Sequence, residues 1–266
     1  MQSISDVDEH LETARQIVEE AGGIALSYFR QPLKVENKLK GNLFDPVTQA
    51  DREVEAYIRG KLSAFFSADT IIGEEEGTSG GGGDRCWVID PIDGTRAFIS
   101  GVPAWGILLG LIDNNRCIGG IMHQPYLGET FVGSDTGAWM IHNNDRIPLQ
   151  SCQKVRLGQA RLYCTHPDMF QQPADLEGFQ RVARASCLMR YGGDCYSYCL
   201  LALGQIDLVI EGSLQPYDIL PLIPIIEGAG GIVTDIRGNP PMEGGLVIAA
   251  ANEALHAKAL ALVQGN

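Results

Sequence analysis

The sequence predicts a layered α+β or αβαβα architecture. Two amphipathic segments precede any strong strand, the central section has the pattern of antiparallel strands, and helices alternate with strands beyond about residue 150. Layers form because a sheet or helix with one apolar face must bury it against another element. With 266 residues, 45% of them hydrophobic, the chain can bury such a core in one large unit or two closely joined lobes.

Helices are predicted over residues 7–29 and 51–66. Apolar residues recur at helical spacing in both segments, which places them on one face. Pro32 ends the first helix, because proline cannot continue the hydrogen-bond ladder. Residues 45–51 are predicted to form a turn that leads into the second helix.

The central section is predicted to be a run of strands with short connections. Asn114 and Asn115 form a hairpin turn, residues 90–94 a turn, and residues 95–99 a short helix. The glycine-rich residues 77–84 are predicted to be a loop between two elements of one sheet. The predicted strands are 71–72, 86–89, 105–113, 117–124, 129–134 and 137–142.

The pattern changes near residue 150, so we predict one lobe over residues 1–150 and a second over residues 151–266. The predicted strands of the second lobe are 160–165, 187–191, 208–211, 231–234 and 246–250, and its predicted helices are 175–185, 196–203, 219–228 and a C-terminal helix from 252.

Composition excludes several classes of protein. The net charge of −13 repels polyanions, which argues against nucleic acid as a partner. No stretch reaches the roughly 20 uninterrupted apolar residues that span a bilayer, so no membrane partner is expected. The 7 cysteines are odd in number and lack paired CxxC spacing, which indicates free thiols and a cytoplasmic location. The N-terminus does not have the pattern of a secretion signal.

Two carboxylates form the strongest local motif, in residues 87–98. Pro91 and Gly94 let the chain reverse at the end of a buried strand, so Asp90 and Asp93 point into the same space. Carboxylates this close repel one another, and a divalent metal resolves the conflict. The alternative is an Asp-rich turn that only caps the following helix. Thr95 opens that helix, where free amides can cradle an anion.

Two further acidic positions strengthen the metal hypothesis. Glu74 lies in an acidic triplet after a short strand, and Asp218 begins an apolar helix. Each has an alternative explanation: the triplet can be a solvated loop, and Asp218 can be a helix N-cap. The chain has no His or Cys cluster that would favour zinc, so hard oxygen donors and magnesium are the better match.

The order of these motifs resembles the inositol monophosphatase family. Asp45-Pro-Val-Thr48 with Asp51, Gly73-Glu-Glu75, Asp90-Pro-Ile-Asp-Gly-Thr95, and Tyr217-Asp218 followed by Glu227-Gly-Ala-Gly-Gly231 and Thr234-Asp235 span nearly the whole chain. Tyr217 stands where the family usually has Trp, and Gly228 sits between Glu227 and Ala229. The resemblance implies the layered αβαβα fold of that family and a homodimer.

The resemblance also implies a metal site and a reaction. Glu74, Asp90, Asp93 and Asp218 would bind two or three Mg²⁺ ions, with the Ile92 carbonyl as a further ligand. Thr95 with Asp45, or Glu74, would accept the proton of a water that attacks phosphorus in line. In this interpretation residues 1–150 carry the metal motifs and residues 151–266 complete the active site.

The residues after the metal loop resemble the histidinol-phosphate phosphatase branch. They are Asp93-Gly-Thr-Arg-Ala-Phe-Ile-Ser-Gly101, Gln124-Pro125, Thr165-His-Pro-Asp168 and Gly192-Gly-Asp-Cys-Tyr196. A carboxylate facing the leaving group favours a cationic substrate such as histidinol phosphate. The predicted substrate contacts are Asp93, Gly94, Thr95, Arg96, Arg190, Asp194, Glu211 and Asp218. Each arginine can instead form a structural salt bridge, and Asp194 can instead be an N-cap.

Two other functions stay open at this point. One is an inositol-1-phosphate phosphatase, or another phosphatase of small metabolites, with the same metal chemistry. The other is a catalytically silent protein that binds a metal or a phosphorylated metabolite. The apolar helices and the strand at residues 105–111 leave room for a dimer interface, which the sequence does not locate.

Overall fold

One β-sheet of eight strands and one of five form the framework of the protein, within residues 4–32, 35–37 and 46–266, the part of the chain that the computed structural model describes. The helices are α1 (Ile4–Tyr28), α2 (Gln49–Phe65), α3 (Thr95–Ile99), α4 (Pro173–Ala185), α5 (Asp194–Ala202), α6 (Pro216–Ile219), α7 (Ile223–Gly228) and α8 (Glu253–Gln264). The strands are β1 (Glu36–Asn37), β2 (Pro46–Val47), β3 (Thr70–Gly73), β4 (Gly77–Gly80), β5 (Arg85–Asp93), β6 (Gly106–Asp113), β7 (Arg116–Gln124), β8 (Glu129–Ser134), β9 (Gly137–His142), β10 (Asp145–Pro148), β11 (Arg161–Cys164), β12 (Leu188–Tyr191), β13 (Leu208–Leu214), β14 (Ile232–Asp235) and β15 (Gly245–Ala250).

Five layers stack in the order helix, sheet, helix, sheet, helix. Helices α1 and α2 pack on one face of the eight-stranded sheet, whose strand order is β10-β9-β8-β7-β6-β5-β3-β4. Helices α5 and α7 fill the space between the two sheets. The five-stranded sheet, of order β12-β11-β13-β15-β14, is covered on its other face by α4 and α8. The predicted αβαβα fold is therefore confirmed.

The predicted helix at residues 219–228 is wrong as one continuous element. The structure has α6, a 3₁₀ turn at Leu220–Leu222 and then α7. Pro221 and Pro224 explain the breaks, because proline removes a backbone donor and clashes with the preceding turn. The break leaves α6 as a separate short element, with Asp218 in its first turn.

Three short pairings were missed by the sequence patterns. The stretch predicted as a glycine-rich loop begins with β4, which pairs antiparallel with β3, so it does join two elements of one sheet. β1 pairs with β2 where a turn was predicted, and β10 extends the eight-stranded sheet. None of these segments has an alternating apolar pattern that would mark it as a strand.

The strand at residues 105–111, which was expected to leave room for a dimer interface, lies inside the sheet. Trp105 and Ile107 to Leu109 are 0% exposed within the single chain, since β6 lies between β5 and β7. Residues 105–111 therefore leave no room for a dimer interface. The predicted boundary near residue 150 falls between β10 and β11, but one apolar cluster spans both sides, and the division into lobes stays a prediction.

Among the described residues, no helix has both the length and the apolar character needed to cross a bilayer.

Candidate active site

Asp90, Asp93 and Asp218 converge at one point of the molecule. A carboxylate oxygen from each lies within 4.8 Å of the others. Asp90 and Asp93 come from the end of β5, and Asp218 comes from α6, more than a hundred residues later in the chain. The fold thus assembles a group of three carboxylates from two distant segments.

The end of β5 holds its two carboxylates by a local irregularity and by backbone bonds. The pairing with β6 shifts between Asp90 and Asp93, as at a β-bulge, which redirects side chains at a strand end. Asp90 Oδ1 accepts from the Ile92 amide at 3.1 Å, and Asp93 Oδ2 accepts from the Cys195 amide at 2.8 Å. Both carboxylates are therefore fixed before any ligand arrives.

Gly94 and Thr95 continue from this strand into α3. Gly94 has a φ of +82°, a left-handed conformation that glycine adopts without strain. A Cβ at Gly94 would lie 3.0 Å from the Cβ of Asp194, so the two loops are in close contact. Thr95 Oγ1 donates to the Ile92 carbonyl at 3.1 Å.

Asp218 has a capping role as well as its place in the cluster. The cap residue is Gln215, and its amide donates to Asp218 Oδ2 at 2.7 Å in a capping box. Asp218 is therefore the third helical residue and not the N-cap. One oxygen of the Asp218 carboxylate accepts this hydrogen bond at the start of α6, and the bond orients the Asp218 carboxylate.

The three carboxylates have raised pKa values in the absence of a cation. Desolvation raises the pKa of Asp93 to about 8 and that of Asp218 to about 7. The pKa of Asp90 is raised by burial first, and then by the charges of Glu74, Asp93, Asp218 and Asp51. A divalent cation would relieve this repulsion, and carboxylate oxygens are the donors that Mg²⁺ prefers. The residues present therefore fit a magnesium site.

Glu74 lies beside this group without being one of its three members. It follows β3 directly, and its amide donates to the Ile89 carbonyl of β5 at 3.2 Å. Its negative charge raises the pKa of both Asp90 and Asp218, so its carboxylate acts on the same group.

A cavity of about 90 Å³ opens next to the carboxylate group, between the two sheets. Glu211 in this cavity is held by two hydrogen bonds: Oε1 accepts from the Thr165 amide at 2.7 Å and Oε2 from the Tyr198 hydroxyl at 3.0 Å. The residues that line the cavity include Asp93, Thr165, Asp194, Tyr198, Glu211 and Asp218. The cavity is thus strongly acidic, which favours a cationic guest.

Asp194 lies at the edge of this cavity and does not cap α5. The cap position is Gly193, and no side-chain cap bond is made there. The Asp194 amide donates to Thr165 Oγ1 at 3.0 Å. Burial, then Asp93 and Glu211, raise the pKa of Asp194 to about 8, while Arg96 lowers it. Arg96 is thus near Asp194.

Among the described residues, the predicted substrate contacts Gly94, Thr95, Arg96 and Arg190 do not line the cavity. Arg190 is exposed on the edge strand β12 and is not among the residues that line the cavity. Asp45 lies outside the described residues.

Asp51 is a residue that the sequence reasoning left without a role. It is 1% exposed in the first turn of α2, and its charge is among those that raise the pKa of Asp90. Burial raises its own pKa to about 6. Thr48 donates to it through both its amide (2.9 Å) and its hydroxyl (2.6 Å). The Thr-x-x-Asp spacing is that of a helix capping box, so nothing in the sequence indicated that the charge of Asp51 also acts on Asp90.

The sequence matches a known protein family over nearly its whole length. Residues 6–266 match the model described as the inositol monophosphatase family. The chain belongs to this family. It is a phosphatase of that family, whose members act on small phosphorylated metabolites and are as a rule metal-dependent.

Three relatives show how far the similarity extends. A bifunctional chloroplastic phosphatase of Arabidopsis thaliana, IMPL2, is 37% identical over 89% of this chain and 67% of its own length. A histidinol-phosphatase of Chlorobaculum parvum is 33% identical over 95% of this chain and 96% of its own length. The structure of an inositol monophosphatase from Zymomonas mobilis superposes with a TM-score of 0.85 at 35% identity, covering 99% of this chain and 100% of that chain.

Proposed function

We propose that this protein is a magnesium-dependent phosphomonoesterase whose substrate is L-histidinol phosphate, which it hydrolyses to L-histidinol and phosphate in histidine biosynthesis. The observation that carries the proposal is the convergence of Asp90, Asp93 and Asp218 beside a cavity that is itself acidic. Asp90, Asp93 and Asp218 would bind a divalent cation. The other two carboxylates that line the cavity, Asp194 and Glu211, would favour a cationic leaving group.

The side chains of Glu74, Asp90, Asp93 and Asp218, with the Ile92 carbonyl, are the groups that would hold two or three Mg²⁺ ions. Bound Mg²⁺ supplies Lewis-acid stabilisation of the phosphoryl oxygens and lowers the pKa of a water. The short bonds from Ile92 to Asp90 and from Cys195 to Asp93 keep these carboxylates in place. Pre-organisation of this kind reduces the reorganisation that catalysis requires.

Hydrolysis needs a base for the attacking water. Thr95 is proposed to take part through its hydroxyl, with Glu74 or a carboxylate of the 45–51 segment as the final acceptor. Of the two carboxylates in that segment, Asp51 is described, and it is buried beside Asp90. The water oxygen bonds to phosphorus, the ester P–O bond breaks, and the leaving alkoxide takes up a proton. The amides of Gly94 and Thr95 are the proposed contacts for the phosphate.

The acidic cavity supports the choice of histidinol phosphate. This substrate carries an ammonium group and an imidazole, and Asp194 and Glu211 are carboxylates held near the reacting centre. Charge-assisted hydrogen bonds to these groups contribute about 1.5–3 kcal/mol each. The names of similar proteins support the same substrate, since the Chlorobaculum parvum relative is a histidinol-phosphatase.

A second candidate substrate is inositol 1-phosphate. It is favoured by the likeness to the Zymomonas mobilis inositol monophosphatase. An inositol ring offers only hydroxyl groups, which the carboxylates of the cavity can also accept from, but without the gain from opposite charges.

A turnover comparison tests both proposals. The purified protein is assayed for phosphate release from histidinol phosphate, inositol 1-phosphate and adenosine 3′,5′-bisphosphate, with Mg²⁺ and after EDTA treatment. We expect histidinol phosphate to have the highest kcat/KM, and EDTA to abolish turnover until Mg²⁺ is restored. Unchanged turnover in EDTA would refute the metal mechanism, and a higher kcat/KM for inositol 1-phosphate would refute the substrate assignment.

A further inference from the structure

A buried ion pair lies directly beneath the loop that carries Glu74. Glu55 and Arg59 are one turn apart on α2, and Arg59 Nε donates to Glu55 Oε1 at 2.8 Å. Glu55 is 0% exposed and Arg59 is 7% exposed. Neither residue lines the cavity or belongs to the group of three aspartates.

The Glu55 carboxylate binds the backbone that follows Glu74. Its Oε2 accepts from the Glu75 amide at 2.8 Å and its Oε1 from the Glu76 amide at 2.9 Å. The Glu74 amide is bound on the other side to the Ile89 carbonyl. The backbone around Glu74 is therefore held from two sides, by β5 and by α2.

Arg59 extends the same restraint to the β3–β4 turn. Its guanidinium donates to the Gly77 carbonyl and, at 2.7 Å, to Ser79 Oγ. The pair also packs closely on Gly73: a Cβ there would lie 2.6 Å from Arg59 Nη2 and closer still to Glu55 Oε1. The loop cannot shift without breaking bonds to a pair that is sealed from water.

We infer that Glu55, oriented by Arg59, is a positioning residue that fixes the Glu74 loop for metal binding. The inference rests on the proposed metal site but not on the identity of the substrate. Groups that orient a ligand from behind are worth roughly 10- to 100-fold in metal affinity. A purely structural pair would instead change the stability of the protein and leave its metal affinity as it was.

The test compares Glu55→Gln with Asp207→Asn. Asp207 is also a buried carboxylate that accepts from an arginine side chain and from a backbone amide, but it precedes β13 and does not line the cavity. Binding of Mn²⁺, as a spectroscopic substitute for Mg²⁺, is measured by isothermal titration and electron paramagnetic resonance on EDTA-treated protein. The rise in Tm on adding Mg²⁺ and the Mg²⁺ concentration for half-maximal activity are measured in parallel.

We expect Glu55→Gln to bind Mn²⁺ roughly 10-fold more weakly, to show a smaller Mg²⁺-dependent rise in Tm, and to need about 10-fold more Mg²⁺. Asp207→Asn is expected to lose stability and keep its Mn²⁺ affinity. Should Glu55→Gln fail to fold, Arg59→Lys, which keeps the charge but loses the fork of donors, is expected to show a smaller loss in the same direction.

Three results would overturn the inference. The first is that folded Glu55→Gln, or its substitute Arg59→Lys, binds Mn²⁺ as tightly as the unmutated protein. The second is that Asp207→Asn loses Mn²⁺ affinity by the same factor as Glu55→Gln, which would make the effect one of general stability. The third is that the unmutated protein does not bind Mn²⁺ at all, which would refute the proposed metal site together with the positioning role.

Discussion

Asp207 and the group of Asp90, Asp93 and Asp218 are carboxylates that the fold removes from water in two different ways. Asp207, at the start of β13, accepts from the Arg161 amide, Nε and Nη2 at 2.8, 2.8 and 3.1 Å. Its charge is matched within the chain. For each of the three aspartates, the neighbouring charge that acts most strongly is another carboxylate.

The difference teaches that burial of a charge does not by itself mark a functional site. A buried carboxylate with its own arginine is complete, and it contributes to structure. Several buried carboxylates that have no arginine between them repel one another, and a bound divalent cation relieves this repulsion. The Glu55–Arg59 pair combines both features. The charge of Glu55 is matched by Arg59, but its carboxylate also binds the backbone of the loop that carries Glu74, next to the three aspartates.

The largest expected effect is on activity, from Asp93→Asn. Removing one carboxylate that the cations share is expected to lower kcat/KM by roughly 10³-fold, since several kcal/mol of transition-state stabilisation are lost. Steady-state phosphate release over a range of Mg²⁺ concentrations checks this. The activity must not return with excess Mg²⁺, whereas full recovery at high Mg²⁺ would mean that Asp93 only tunes affinity.

Asp207→Asn should show the opposite profile. It is expected to lower the free energy of unfolding by about 3 kcal/mol, because the paired charge is lost while Arg161 is only partly exposed. Its kcat/KM should stay within about threefold of the unmutated value. Denaturant unfolding and the phosphatase assay measure the two effects. A large loss of activity in a folded Asp207→Asn protein would contradict the contrast between the two regions.

The fold was predictable wherever local chemistry decides the structure. β8, β9 and α3 have the predicted bounds, because alternation and a turn fix them within a few residues. Asn114 and Asn115 form the predicted turn, with φ values of 49° and 59° that asparagine tolerates. β4 was missed because its glycine-rich sequence carries no pattern, and the bonds from Arg59 that hold its start come from a distant helix.

The site was only partly predictable for a related reason. Asp90 and Asp93 are three residues apart, so their convergence follows from the turn between them. No local pattern connects them with Asp218, and the link came from the order of motifs shared with the family. Asp51 shows the limit most clearly: its spacing from Thr48 fully accounts for a helix cap, and only the packing of α2 beside β5 brings its charge near Asp90.

Stability of the metal-free protein should fall as pH rises. The pKa of Asp93 is raised from 3.8 to about 8, so the folded state holds a proton that the unfolded state has released. Its stabilising contribution is complete below pH 3.8 and is lost as pH rises through about 8. Between pH 6.5 and 8 this amounts to about 2 kcal/mol for one such group.

Thermal unfolding in EDTA and in Mg²⁺, at pH 6.5 and 8, measures this effect. His123, whose pKa burial lowers to about 4, is neutral in both states through most of this window and does not interfere. Mg²⁺ and Asp93→Asn should each flatten the pH dependence. An equal slope in EDTA and in Mg²⁺ would contradict the release of the Asp93 proton on metal binding.

The smallest expected effect concerns selectivity, through Asp194→Asn. Asp194 lines the cavity, and a substrate ammonium group would favour its ionised form against the burial that raises its pKa to about 8. Neutralising it should lower the ratio of kcat/KM for histidinol phosphate to that for inositol 1-phosphate by about 10-fold, since one charge-assisted contact is lost. Asp168→Asn is the matched control, because its side chain is 86% exposed on the neighbouring segment. A ratio that falls equally in both variants would place the selectivity in the overall acidity of this face, and an unchanged ratio in Asp194→Asn would contradict a role of Asp194 in selectivity.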